Sequence, residues 1–279
     1  MNNLDVIETQ VTHIRPKSGW QILDLKELRE YRDLFYFLVW RDIKVMYAQT
    51  ILGFLWAILQ PLSQVVIFTV VFGKVAKIST DGIPYVLFSS VAIIPWTYLS
   101  QAMSQSSESL VKDQSMLGKI YFPRLLLPSI SVLARLIDFG ISTLILFGVI
   151  LYYHILPTWQ LLLFPMFVLL MMAISLGVGT WLSALAIRYR DVRYAMQFLI
   201  RMLMYSAPIV YSASSIPEHY RLIYSLNPIV AVIEGIRASI LGTPMPWIYI
   251  LPGVITSILL LFSGLFYFKR MERVFVDVI

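Results

Sequence analysis

The amino-acid sequence predicts an all-α integral membrane protein with six transmembrane helices and both termini on the cytoplasmic side. Composition, charge-free windows and the placement of Lys and Arg predict it. Of 279 residues, 58% are hydrophobic and 14% charged, and the mean hydropathy is +0.76. Soluble domains carry roughly 25% charge and 45–50% apolar residues. One soluble core of this size could not bury the excess, so lipid is the solvent for much of the chain. A cytosolic enzyme and a secreted domain are thereby excluded.

The elements follow in chain order. Leu25, Leu28, Tyr31, Phe35 and Leu38 recur at helical spacing, with Glu27, Arg29, Glu30 and Asp33 largely on other faces. This predicts an amphipathic helix lying in the cytoplasmic interface. The acidic residues before Lys44, without an early apolar run, give no expectation of a cleavable signal. Charge is absent between Lys44 and Lys74, Asp81 and Glu108, Asp138 and Arg188, and Arg237 and Lys269. About 20 apolar residues in a helix span the hydrocarbon, so the third window is too long for one helix. It divides at His154-Ile155-Leu156-Pro157-Thr158-Trp159. Arg201 alone interrupts the apolar stretch from Tyr194 to Ser212.

The predicted spans are therefore 50–73, 84–107, 128–153, 159–187, 194–213 and 246–268. All-apolar runs cannot form the alternating strands of a barrel, which leaves helices. Residues 1–49 form a cytoplasmic segment, 50–268 the transmembrane domain and 269–279 a cytoplasmic tail. Between spans five and six, Asn227 as cap, Pro228 in the first turn and Gly242 as stop predict a helix to about Leu241. It is one of two short outer helices dipping into the outer leaflet.

Of the 22 Lys and Arg residues, only Lys74, Lys77, Arg221 and Arg237 fall outside the predicted cytoplasmic side. Topology thus accounts for the net charge of +6, and no nucleic-acid partner is expected.

The chain has no Cys, which excludes a disulfide framework and thiolate chemistry. His13, His154 and His219 lie far apart, without metal-ligand spacing. Neither Gly73-Lys74 nor Gly118-Lys119 has the spacing of a phosphate-binding loop. No cofactor is expected on the chain, and active transport would draw on an ion gradient or a partner.

Polar residues recur every three or four positions within spans. Span one carries Gln49, Gly53, Trp56, Gln60 and Ser63/Gln64, and span five carries Arg193, Gln197, Arg201, Tyr205 and Ser212. Span two turns polar through Thr97, Ser100, Gln101, Ser104, Gln105, Ser107 and Glu108. Such rows read equally as helix–helix hydrogen bonding or as a lumen. Arg201, about 12 Å into its span at the helical rise, favours a water-facing pathway. Arg135 and Asp138 sit at i and i+3 and read as a neutralised structural pair. Ala173, Ser175, Gly177, Gly179 and Ser183 on span four allow close helix packing.

Trp40-Arg41-Asp42-Ile43-Lys44, Tyr47, Thr50, Leu52-Gly53, Trp56 and Gln60-Pro61 resemble the start of span one in type-2 ABC exporter permeases. The resemblance is to the branch exporting lipid-linked polysaccharide such as O-antigen. Pro16, Gly19-Trp20, Asp24-Leu25, Glu27-Leu28 and Tyr31-Arg32-Asp33-Leu34 are similar to its interface helix. Ile94-Pro95-Trp96, then Gly118-Lys119-Ile120-Tyr121-Phe122-Pro123-Arg124 and Pro128, are similar to its second span and cytoplasmic loop. Arg190-Asp191-Val192 and Tyr224-Ser225-Leu226-Asn227-Pro228 complete the pattern.

The resemblance implies a half-transporter of a bacterial inner membrane. Two copies form a channel, and two ATPase subunits, which bind ATP and Mg, dock beneath. It implies a lumen lined by Gln49, Trp56, Gln60, Gln64, Gln197, Arg201 and Tyr205, and a lipid-linked glycan as substrate. It implies ATPase coupling through Arg32, Arg41, Lys119, Phe122, Pro123 and Arg124, and a periplasmic gate at Tyr224, Asn227, Pro228 and Glu234. The same architecture could carry capsule, teichoic acid or a small hydrophobic compound. An integral-membrane glycosyl- or acyltransferase lacks the carboxylate or His constellation it would need, and an ion-coupled flippase lacks an inverted repeat.

Overall fold

The computed structural model describes residues 29–48, 50–119 and 121–272, and no strand occurs among them. Helix α1, Arg32–Tyr47, contains the C-terminal part of the amphipathic segment expected from the sequence. The expected Leu25 and Leu28 lie outside the described residues. Leu38 is buried, with Tyr31, Leu34, Phe35 and Val39 packed around the same cluster. Tyr36, Phe37 and Trp40 stay exposed.

Span one opens with a 3-10 turn, Gly53–Leu55, continues as α2, Trp56–Phe68, and ends as a π-helix, Thr69–Val75. Pro61 inside α2 has no N–H to give the Ala57 carbonyl. The Ser142 hydroxyl donates to that carbonyl instead, at 2.8 Å. An orphaned backbone acceptor at membrane depth is thus answered from a neighbouring helix.

Span two is α3, Tyr85–Lys112, followed by the short α4, Gln114–Leu117. Span three divides into α5, Leu126–Ala134, and α6, Leu136–Tyr152, broken at Arg135. After a 3-10 turn, Trp159–Leu163, span four is α7, Phe164–Arg188. Its small residues do what their spacing predicts. A Cβ on Gly177 would stand 2.9 Å from the Leu260 backbone, and one on Gly179 would collide with the Ser106 side chain.

The stretch expected as span five differs. Helix α8, Val192–Ser206, has 15 residues, about 22 Å of rise against a hydrocarbon core of about 30 Å. Non-helical backbone carries the chain from Ala207 to Ser212. Next come α9, Arg221–Ser225, and α10, Pro228–Leu241. The Asn227 side chain caps α10 by accepting from the Ile229 N–H, and Gly242 ends it at φ +70°. Span six is α11, Trp247–Glu272.

Among the described residues, five elements are long and apolar enough to cross a membrane: Gly53–Val75, Tyr85–Lys112, Leu126–Tyr152, Trp159–Arg188 and Trp247–Glu272. The bent pair Glu218–Ser225 and Pro228–Leu241 turns by 103°. Contacts decide what the pair and α8 do. Leu38, Leu110, Phe122, Ala184 and Phe268 share one cluster, so α1 and the ends of α3, α7 and α11 meet at one end of the bundle. At the opposite end, the Ser214 hydroxyl donates to Asp81 at 3.1 Å, and the Tyr249 hydroxyl to the Ala213 carbonyl at 3.0 Å. Residues 192–212 therefore run from the first end to the second, as a short helix completed by extended chain. The bent pair starts and finishes at the second end, in the manner of a re-entrant hairpin.

Candidate functional site

Helices α2 and α8 are the least covered long elements of the bundle. In span one 11% of the apolar window is buried, against 78% in span two. On α8 only Met196 is buried. These are the elements on which the sequence puts its polar rows. Trp56 and Gln60 are exposed and Gln64 is half-buried; Gln197, Arg201 and Tyr205 are all exposed. Gln49 lies outside the described residues. Arg201 has neither an ion pair nor a hydrogen bond among the described residues.

The α2 row is not simply a free surface. Gln101 Nε2 donates to Gln60 Oε1 at 3.1 Å, and the Thr97 hydroxyl stands 3.5 Å from Gln64. Arg135 donates to Gln101 Oε1 at 3.0 Å and pairs with Asp138 at 2.7 Å. The Tyr47 hydroxyl, at the end of α1, donates to Asp138. Helix α1 is thereby joined to spans one, two and three around a cavity of about 180 Å3. Gln101, Arg135 and Asp138 were not among the expected site residues. The signal was in the sequence, since Thr97, Gln101, Gln105 and Glu108 repeat at helical spacing down span two.

At the second end, carbonyls at and after the end of α8 accept from side-chain donors. Asn227 Nδ2 donates to Ser206 O at 3.2 Å and Arg237 Nη2 to Pro208 O at 2.7 Å. The Tyr85 hydroxyl donates to Val210 O at 2.9 Å. Irregular backbone inside a membrane protein persists only where such partners replace water. Arg237, 5% exposed, pairs with Glu234. Its guanidinium also lies 3.9 Å from the centre of the Phe88 ring, within cation–π range. The Tyr224 hydroxyl donates to that of Tyr211 at 3.3 Å, and Tyr211 to the Tyr205 carbonyl at 3.2 Å. The expected gate residues Tyr224, Asn227, half-buried Pro228 and Glu234 are thus gathered around the end of α8. Arg237, Tyr85, Tyr211 and Tyr249 complete the group, though sequence spacing did not single them out.

The expected coupling residues cluster at the first end, several of them engaged within the chain. Arg41 pairs with Asp42 at 2.8 Å and with Asp113 at 3.1 Å. Burial works to lower the Arg41 pKa, but hydrogen bonding to Asp42 and the charges of Asp113 and Asp42 hold it above its ordinary value. Arg124 donates to the Glu272 carbonyl at 3.0 Å. Phe122 is buried in the inner cluster, and Pro123 is half-buried. Arg32, beside Asp33, and Lys119 are exposed. Gln114, Ser115 and Tyr121 are exposed with them. No grouping of His, Cys, Asp or Glu among the described residues could hold a metal ion.

A family model described as ABC-2 type transporter matches residues 33–241. An O-antigen export system permease protein of Myxococcus xanthus is 28% identical over 216 residues, 77% of this chain and 82% of that protein. One of Klebsiella pneumoniae is 24% identical over 248 residues, 88% of this chain and 95% of that protein. A polysialic acid transport protein of Escherichia coli is 25% identical over 237 residues, 80% of this chain and 85% of that protein.

Proposed function

From the premise that the chain belongs to the ABC-2 type transporter family, we propose that it is the permease subunit of an exporter of lipid-linked O-antigen or a similar surface polysaccharide. It is an integral membrane transporter subunit rather than an enzyme. In this reading the first end, with α1 and α4, faces the cytoplasm, and two copies of the chain meet across α2 and α8. The lumen between them is lined by Trp56, Gln60, Gln64, Gln197, Arg201 and Tyr205, with Gln49 at its inner mouth. The observation that carries the reading is the coincidence of polar rows with the least covered helices, α2 and α8. Polar faces are costly against lipid, and a second copy would turn them inward.

Two ATPase subunits dock on the first end and supply ATP and Mg. Arg32 and Lys119, with the neighbouring Gln114, Ser115 and Tyr121, form the docking surface. Arg41, Phe122, Pro123 and Arg124 make that surface stiff by tying α1, the loop after α4 and the end of α11 into one body. Closure of the ATPases then moves this body as a unit. At the second end, Tyr224, Asn227, Pro228 and Glu234 gate the exit. The Tyr224–Tyr211–Tyr205 hydroxyl chain links that gate to the lumen row. The lipid tail stays in the bilayer while sugars pass amide and aromatic side chains whose contacts are individually weak, as conduction requires.

The test is reconstitution of this chain with its cognate ATPase in lipid vesicles. Lipid-linked O-antigen should stimulate ATP hydrolysis and reach the far side of the bilayer. The chain alone should show neither. Turnover or uptake by the chain alone would end the reading. The likeness to the polysialic acid transport protein favours, as a second reading, an acidic capsular polymer, which the same assay with that glycolipid separates.

A further inference from the structure

We propose that the cavity enclosed by the end of α1 and by α2, α3 and α6 is a subsite for a single neutral sugar residue of the exported glycan; this rests on the export reading above. Its volume is about 180 Å3, room for one sugar ring or several waters at about 30 Å3 each. Trp56, 54% exposed, stands at its mouth. The rings of Tyr98 and Phe139, 5.5 Å apart, form an apolar wall. Gln60, Gln101, Arg135 and Asp138 also line the cavity. Aromatic faces beside amide, guanidinium and carboxylate groups match a sugar, which has an apolar C–H face and a rim of hydroxyls.

Two features narrow the occupant. Arg135 and Asp138 both line the cavity, a donor beside an acceptor. Asp138 already neutralises the Arg135 charge at 2.7 Å. A phosphate dianion would meet that carboxylate, whereas a hydroxyl both accepts from Arg135 and donates to Asp138. The position gives the subsite a use. Tyr47 and Gln60 connect it to the interface helix and to the lumen row, so a sugar lodged there touches both.

The experiment uses the full complex with its ATPase and the native lipid-linked glycan. Ala57→Leu and Ser142→Leu each add bulk to the cavity lining, and each should raise the glycolipid concentration for half-maximal ATPase stimulation about tenfold. Ser142→Ala, which removes the bond to the Ala57 carbonyl without taking up room, should not. Unchanged half-saturation in assembled leucine variants would overturn the subsite while leaving export intact. Failure of the glycolipid to stimulate the wild-type complex would instead bring down the export reading itself.

Discussion

Two arginines in apolar helices separate the two working regions of this molecule. Arg237, on α10, is 5% exposed, paired with Glu234, bonded to the Pro208 carbonyl and seated over Phe88. Arg201, on α8, is exposed and has no partner among the described residues. A charge at membrane depth is tolerated when it is paired or when it faces water. Arg237 meets the first condition, and the export reading assigns Arg201 the second. The second end is therefore bonded largely within the chain, whereas the α2–α8 face is open.

The comparison is most severely tested at Arg237. Arg237→Ala leaves Glu234 buried without its counter-charge and frees the Pro208 carbonyl, and should cost about 3–5 kcal/mol. Thermal unfolding of the purified chain in detergent measures it. The double variant Arg237→Met with Glu234→Leu should recover most of that loss, because neither charge is then stranded. If the single variant is as stable as wild type, the outer end is not held by this pair.

Next come the close helix crossings. Gly179 abuts Ser106, and Gly235 abuts the Phe167 ring. Gly179→Val should destabilise by about 1–3 kcal/mol through overpacking, as should Gly235→Val, by the same unfolding measurement. Equivalent bulk on the open face, as in Leu199→Phe, should change little. At the inner end Asp113→Asn removes one of two carboxylates on Arg41. Asp42 remains, so the loss should be no more than about 1 kcal/mol. The larger consequence should be on coupling: ATP hydrolysed per glycan exported rises if this clamp stiffens the docking body.

Much of this was legible beforehand. Charge-free windows located the long spans because lipid allows no alternative to helices there. Asn227, Pro228 and Gly242 located α10 because capping and left-handed stops are local chemistry. What the sequence hid is tertiary. Pro208 is a local stop for α8, since it turns Ala207 out of the helical region, but the non-helical path of residues 207–212 depends on donors from Tyr85, Asn227 and Arg237. Arg237 itself entered only as a positive charge to be counted for topology. The Arg135–Asp138 pair was read as structural because its i, i+3 spacing explains it. Its link to Tyr47 and Gln101 reaches two other elements and has no signature in spacing.

The smallest effect on stability is the sharpest on function. Arg201→Ala removes an exposed side chain with no hydrogen bond or ion pair among the described residues, so unfolding should shift by less than about 0.5 kcal/mol. Its face, shared with Gln197 and Tyr205 at four-residue spacing, would be solvated only if the paired subunits enclose water. Export in reconstituted vesicles should then fall while assembly of the complex stays intact, and Arg201→Lys should retain more of it than Arg201→Ala or Arg201→Leu. The leucine variant discriminates furthest. Facing lipid, a leucine would be preferred to an arginine and the complex would gain stability with export unharmed. Facing a lumen, it would place an apolar surface where hydroxyl-rich cargo passes, and export would fall at unchanged stability. The first result would move α8 to the lipid boundary and leave the polar row of α2 without its counterpart.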